Sequence, residues 1–359
     1  MESVDKTKRN RGKCVSQPAS QPASQPASQP ASQPGREVQF DNLKGLLIIL
    51  VVLGHCLEEF GTDGSAYGFI RVLIYSFHMP AFVFISGYFT YGHTENKCKI
   101  LQNTIVPFFI FNTLFELIIG KTIKINILTP QYIFWYLLAL FVWRLTIEYL
   151  SKIRGLITLS ILFSLYVGCI NAADRFLAIQ RAFAFFPYFV LGYIVSEKKL
   201  KKKIDNVPLW LSVSIFIILE ILAVGSYLTG WAPVKTWENI QSYESSGISM
   251  PQGMLIRLLS ILIGAGITIA LVRLSSHRDG IIAKIGRRTD CIYVLSGFGV
   301  KFLYAFVRRI FPMQTVSIPE GVMISAMLAG VIVFFLSWNK VVDVYRKFIK
   351  FCGKMVLIP

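Results

Sequence analysis

Phe40-Asp41-Asn42-Leu43-Lys44-Gly45-Leu46-Leu47-Ile48-Ile49-Leu50-Val51-Val52-Leu53-Gly54-His55 is an unbroken apolar run with its polar side chains confined to the start and to His55. Such a run, about 20 residues long with its flanks, crosses the roughly 30 Å hydrocarbon layer of a bilayer as a helix. The rest of the chain repeats the pattern almost end to end. Of 359 residues, 54% are hydrophobic and only 16% charged, and the mean hydropathy is +0.55. The solvent of this fold is lipid. The runs are continuously apolar instead of alternating, which excludes a closed β-barrel. Reading them with their polar punctuation predicts an all-α polytopic membrane bundle of about ten transmembrane helices. The expected spans are 43–60, 69–91, 100–120, 131–150, 155–170, 182–196, 208–229, 254–274, 290–311 and 319–339, the fifth and sixth being short.

Residues 1–37 are a different polymer. Met1 to Lys13 is rich in Lys and Arg, and Ser16 to Pro34 repeats Ser-Gln-Pro-Ala with proline too frequent for helix or sheet. A disordered basic tail serving as a neutral spacer is expected there, then a transmembrane domain over 38–345 and a short basic tail over 346–359. The tail lacks the apolar core and cleavage site of a secretory signal, so the first span is expected to start transfer itself.

Charge fixes an expected orientation. With ten alternating spans, most of the 37 Lys and Arg fall on one side: the N-terminal tail, Lys97 and Lys99, Arg144 to Arg154, Lys198 to Lys203, Arg273 to Arg288, and Lys340 to Lys354. The positive-inside rule places that side, and both termini, in the cytoplasm of a cell that carries the protein in its plasma membrane. The formal charge of +17 reflects these flanks and points to anionic membrane lipids as partners, not to nucleic acid. The six cysteines include no C-x-x-C pair and share no ligand spacing with the four histidines, so no metal is expected.

Ionisable groups at membrane depth are costly, and each is a candidate for function. Lys44 and His55, eleven positions apart, project on nearly one helix face about 16 Å apart in depth. Asp41 sits one turn below Lys44. Glu58 and Glu59 lie one turn above His55, close enough for either to orient the imidazole. A neutral imidazole takes a proton from a hydroxyl as that hydroxyl attacks a carbonyl or thioester carbon. A buried histidine satisfied by a backbone carbonyl is the alternative. In the next span, His78, Pro80 and Ser86-Gly87 interrupt a lipid-compatible segment; Pro80 should kink it, and Ser86-Gly87 either pack a neighbouring helix or line a site.

The Lys-x10-His pattern of Lys44 and His55, followed by Phe77-His78-Met79-Pro80 and Ile85-Ser86-Gly87-Tyr88-Phe89, resembles the acyltransferase-3 family, in its branch similar to fucose 4-O-acetylases and polysaccharide O-acetyltransferases. Trp135 to Phe141, Arg181 with Phe185-Phe186-Pro187-Tyr188-Phe189, and Ile285-Gly286-Arg287-Arg288-Thr289 follow in the family's order. The resemblance covers about residues 38–340. It implies a ten-helix membrane acyltransferase that moves an acyl group from acyl-CoA, usually acetyl-CoA, to a glycan or lipid-linked sugar hydroxyl. It assigns catalysis to His55 and donor binding to Lys44, Lys97 and Lys99, the last two standing where relatives often carry arginines. Asp41, Glu59, His78, Ser86 and Arg181 become supporting or substrate residues, and Ser296 stands where many relatives have a second histidine. A secondary transporter or exporter is the competing expectation; it predicts inverted repeats, and no convincing internal repeat is visible.

Overall fold

The computed structural model describes residues 37–61, 66–92, 97–120, 128–171, 176–310 and 316–356. The Ser-Gln-Pro-Ala repeat lies outside them. In chain order the helices are α1 (Val38–Glu58), α2 (Ala66–Tyr75), α3 (His78–Thr90), α4 (Lys97–Ile118), α5 (Trp135–Leu150), α6 (Leu156–Val167), α7 (Ile179–Glu197) and α8 (Lys201–Asp205). They continue as α9 (Leu209–Leu228), α10 (Val234–Glu238), α11 (Met250–Leu274), α12 (Ile281–Gly286), α13 (Thr289–Ile310), α14 (Ile318–Leu336) and α15 (Asn339–Val356). No strand occurs among the described residues, as lipid demands: backbone groups without water must bond within their own segment.

Among the described residues, eight helical segments are long and apolar enough to cross a membrane: α1, the α2–α3 pair, α4, α7 with the turn before it, α9, α11, α13 and α14. The fold is an all-α polytopic membrane bundle. Two of the expected ten spans are shorter. α5 has 16 residues and α6 has 12, and at about 1.5 Å per residue α6 rises only about 18 Å. Both are held by full-length neighbours, α5 by α4 and α7, α6 by α7 and α11. The expected sixth run at 182–196 is longer than its apolar core, because Ile179 to Arg181 also join the helix.

The kink expected at Pro80 is displaced. The helix breaks earlier, at Ser76-Phe77, and α3 restarts at His78 with Pro80 in its first turn, where proline's missing N–H has no intrahelical partner to lose. Where two helices meet most closely, glycine stands at the crossing. A Cβ on Gly87 would overlap the Phe189 carbonyl, and one on Gly192 the Phe84 carbonyl, so α3 and α7 touch through backbone. Gly45 and Gly286 do the same for α1 and α12. That contact, with Gln39 donating to the Val272 carbonyl at 2.6 Å and Asn42 to those of Ser276 and Arg278 at 2.8 and 2.9 Å, ties the start of α1 to the connection before α13.

α9 shows most of its surface outward, including Trp210, Ile218 and Ile221; its buried carboxylate, Glu220, accepts from the Ser76 hydroxyl at 2.8 Å, beside the helix break. α14 opens with a capping box: Ser317 and Glu320 bond each other's end of the first turn. The boundary expected at 345/346 falls inside α15, one continuous helix.

Candidate active site

Two chambers meet inside the bundle. The larger, about 680 Å³, is lined at one end by Lys44, Lys99, Arg144, Arg346 and Lys350. Five cations against the single carboxylate of Asp290 make it strongly basic. Its inner wall is apolar and aromatic, with Phe82, Ile85, Tyr136 and Leu140. The smaller, about 40 Å³, is lined by His55, Glu58, Tyr75, His78, Arg181, Trp237 and Glu238 among others. Met79 and Tyr293 line both, so these two side chains stand where the chambers adjoin.

His55 is placed by α1 and held by Glu58, whose Oε2 lies 3.0 Å from Nδ1. The other Glu58 oxygen accepts from the Tyr75 hydroxyl. A carboxylate at Nδ1 holds the proton there and leaves the Nε2 lone pair as the basic site. Tyr132 packs on the imidazole, ring centres 4.7 Å apart. Glu59, the carboxylate expected to support His55, instead accepts from Lys301; the carboxylate on the imidazole is Glu58.

His78 is buried, its Nδ1 2.9 Å from the Ile74 carbonyl, which the Phe77 N–H also reaches at 3.5 Å across the helix break. Arg181 donates to the carbonyls of Glu238 and Tyr132 at 3.3 and 3.4 Å and lies over Trp135 at 5.2 Å. Arg71 pairs with the Glu238 carboxylate. The structure thus gathers His55, His78, Arg181 and Trp135, all legible in the sequence, and adds Tyr75, Arg71 and Glu238. None of these three was singled out in the sequence. Trp237 lines the same chamber, and its buried indole N–H has no hydrogen-bond partner among the described residues.

The other expected residues divide. Lys44 lines the large chamber, 2.8 Å from Asp41, which also faces Arg287 at 3.9 Å. Ser86 lines it too, 2.5 Å from the Tyr136 hydroxyl, while its neighbour Gly87 serves helix packing. Lys99 lines it; Lys97 is exposed and does not. Ser296 is buried and donates to the Tyr293 carbonyl at 3.0 Å. Arg144, Arg346 and Lys350 were legible only as flanking charges. Arg346 makes a bidentate contact with Asp290 at 2.9 Å, which holds its guanidinium more firmly protonated than usual. At the same end Arg287 holds the Asp279 carboxyl below the usual carboxylate range through a 2.8 Å hydrogen bond.

A basic chamber adjoining a histidine–carboxylate pair within a membrane bundle marks a multi-pass membrane protein with a candidate active site in its interior. The family model described as an acyltransferase domain matches residues 37–339, and the chain belongs to the acyltransferase-3 family. Among curated proteins it is similar to nodulation protein NolL of Mesorhizobium japonicum, 28% identical over 216 residues, 55% of this chain and 57% of that one. NolL of Sinorhizobium fredii is 48% identical over 60 residues, 16% of each chain. The chain therefore spans little more than half the length of the first relative and a smaller part of the second. No solved structure matches it.

Proposed function

We propose that this protein is a membrane O-acyltransferase that moves an acyl group, in the simplest case acetyl, from acyl-CoA to a hydroxyl of a cell-surface or lipid-linked glycan. The observation that carries this reading is the His55–Glu58 dyad in a small chamber that adjoins a basic one at Met79 and Tyr293, and in this reading those two side chains are the neck between them. The family membership supports acyl transfer; the glycan acceptor draws on the resemblance of the first two sequence blocks and on the chamber's aromatic and charged lining, suited to sugar hydroxyls.

In this reading the donor's phosphates meet Lys44, Lys99, Arg144 and Lys350, and the thioester arm threads toward the neck. Lys97 plays no direct part. The acceptor hydroxyl gives its proton to His55 Nε2 as its oxygen attacks the thioester carbon; the tetrahedral adduct collapses with loss of the CoA thiolate, which takes the proton from His55. The Trp237 N–H supplies a donor for the acceptor or for the developing oxyanion. The basic end faces the cytoplasm of the plasma membrane, in keeping with the asymmetry of Lys and Arg along the chain.

The test is transfer of labelled acetyl from acetyl-CoA to membrane glycan, per folded molecule. His55→Ala and His55→Gln should each lower turnover by about 10²–10⁴-fold, the contribution of a positioned base. Near-normal turnover in either variant removes His55 as the base.

A further inference from the structure

α15 carries three kinds of surface. Val342, Tyr345, Ile349 and Gly353 are buried in the bundle. Val344, Phe348, Phe351 and Met355 form a second apolar stripe, 68%, 42%, 62% and 73% exposed. At 100° per residue the stripe's mean direction lies roughly 135° around the helix from the buried one. The remaining sector is charged, and in it Lys340, Lys347 and Lys354 recur every seven residues, all exposed, in a line bordering the apolar stripe.

The helix is also placed at one end of the bundle. Arg346 binds Asp290 in the first turn of α13, and Gly353 packs on Gln102 near the start of α4. Tyr345 reaches inward to Phe111, ring centres 6.0 Å apart. Trp338, 55% exposed, precedes the helix with Lys340 over its ring at 5.7 Å. α15 is not among the helices apolar enough to span a membrane. An amphipathic helix with lysines along its apolar border and an aromatic at its entry suits the plane between headgroups and acyl chains.

We infer that α15 is an interfacial helix seated on an anionic leaflet, with Val344, Phe348, Phe351 and Met355 in the acyl layer and Lys340, Lys347 and Lys354 on the headgroups. The occupant is lipid because charge and geometry agree on it: the stripe lies at the end of a bundle that is itself in a bilayer, and one of its edges is lined by three exposed lysines, with Asp343 the one carboxylate in the charged sector beyond them. The same helix supplies Arg346 and Lys350 to the large chamber. Its seat in the leaflet therefore sets where those two cations stand, and the composition of the leaflet becomes a determinant of the chamber's affinity for an anionic ligand. This last consequence rests on the acyltransferase reading; the seating itself does not.

The experiment uses the full chain with a benzophenone amino acid in place of Phe351, Met355 or Lys347, reconstituted in vesicles of phosphatidylglycerol with phosphatidylcholine and in phosphatidylcholine alone. On illumination, positions 351 and 355 should label lipid acyl chains and position 347 should not. Lys347→Gln together with Lys354→Gln should lower the phosphatidylglycerol adducts by about 25-fold, since each basic residue near an anionic surface contributes about five-fold. Adducts to a second copy of this chain or to another protein, or equal labelling at all three positions, would overturn the seating. Acetyl-CoA binding in the two vesicle types is read separately: unaltered binding with correct labelling would refute the link to the chamber and leave the seating intact.

Discussion

Replacing Glu58 by Gln separates the histidine's chemistry from its position. The amide is nearly isosteric, so the 3.0 Å approach to Nδ1 and the contact with Tyr75 are both sterically possible in the variant. What changes is charge. A hydrogen bond to an ionised acceptor contributes about 1.5–3 kcal/mol and a neutral one about 0.5–1.5 kcal/mol. The imidazolium formed as the acceptor hydroxyl is deprotonated therefore loses about 1–2 kcal/mol of stabilisation, about a 5- to 30-fold fall in kcat. If the amide turns its NH2 toward Nδ1, the tautomer reverses, the Nε2 lone pair is lost, and the fall approaches the about 10²–10⁴-fold of the base itself. The assay is single-turnover acetyl transfer in membranes against folded protein, with Glu59→Gln beside it. Since Glu59 is engaged by Lys301, that variant should keep its kcat. Wild-type kcat in Glu58→Gln, or a larger loss in Glu59→Gln, would refute the assignment of the carboxylate.

Lys99→Ala should raise the KM for acyl-CoA with little change in kcat, since it removes binding present in ground and transition states alike, whereas Lys97→Ala, outside the chamber, should leave both unaltered; steady-state kinetics at saturating acceptor distinguishes them. Gly286→Ala drives a methyl into the Asp41 carbonyl and should destabilise the α1–α12 contact by about 1–3 kcal/mol, measured as a lowered unfolding temperature in detergent. A reporter fused after Lys203 should read cytoplasmic and one within residues 230–253 external; the opposite pair of signals would overturn the orientation.

Much of the bundle is legible from composition because lipid leaves the chain so few options: an apolar run of sufficient length becomes a helix, and a polar group within it stands out. His55, Lys44 and Arg181 were visible for that reason. What the chain's order hides is the partner. On a helix, positions three and four beyond His55 are both within reach, so periodicity leaves Glu58 and Glu59 equivalent; the choice is made by Tyr75 from α2 and Lys301 from α13, which claim one carboxylate each. The same blindness covers Glu238, Arg346 and Lys350, far along the chain from His55 and brought to the chambers by tertiary packing. The break at Ser76-Phe77 was misplaced toward Pro80 because proline is tolerated in a first turn, and the restart at His78 supplies that turn. Lys97 and Lys99 show a finer limit: both are exposed, but two positions apart they differ by about 200° around α4, and only Lys99 lines the chamber.

The neck at Met79 and Tyr293 bears on a cost that any machine bridging two aqueous compartments must meet. An open shaft through the bundle would short-circuit the proton gradient that energises a cell membrane. A thioether and a phenol shared by a basic vestibule of about 680 Å³ and a chamber of about 40 Å³ put two bulky side chains across the line an aqueous shaft would take, so in the proposed reading the insulation of the membrane falls to the same side chains that the donor's arm must pass.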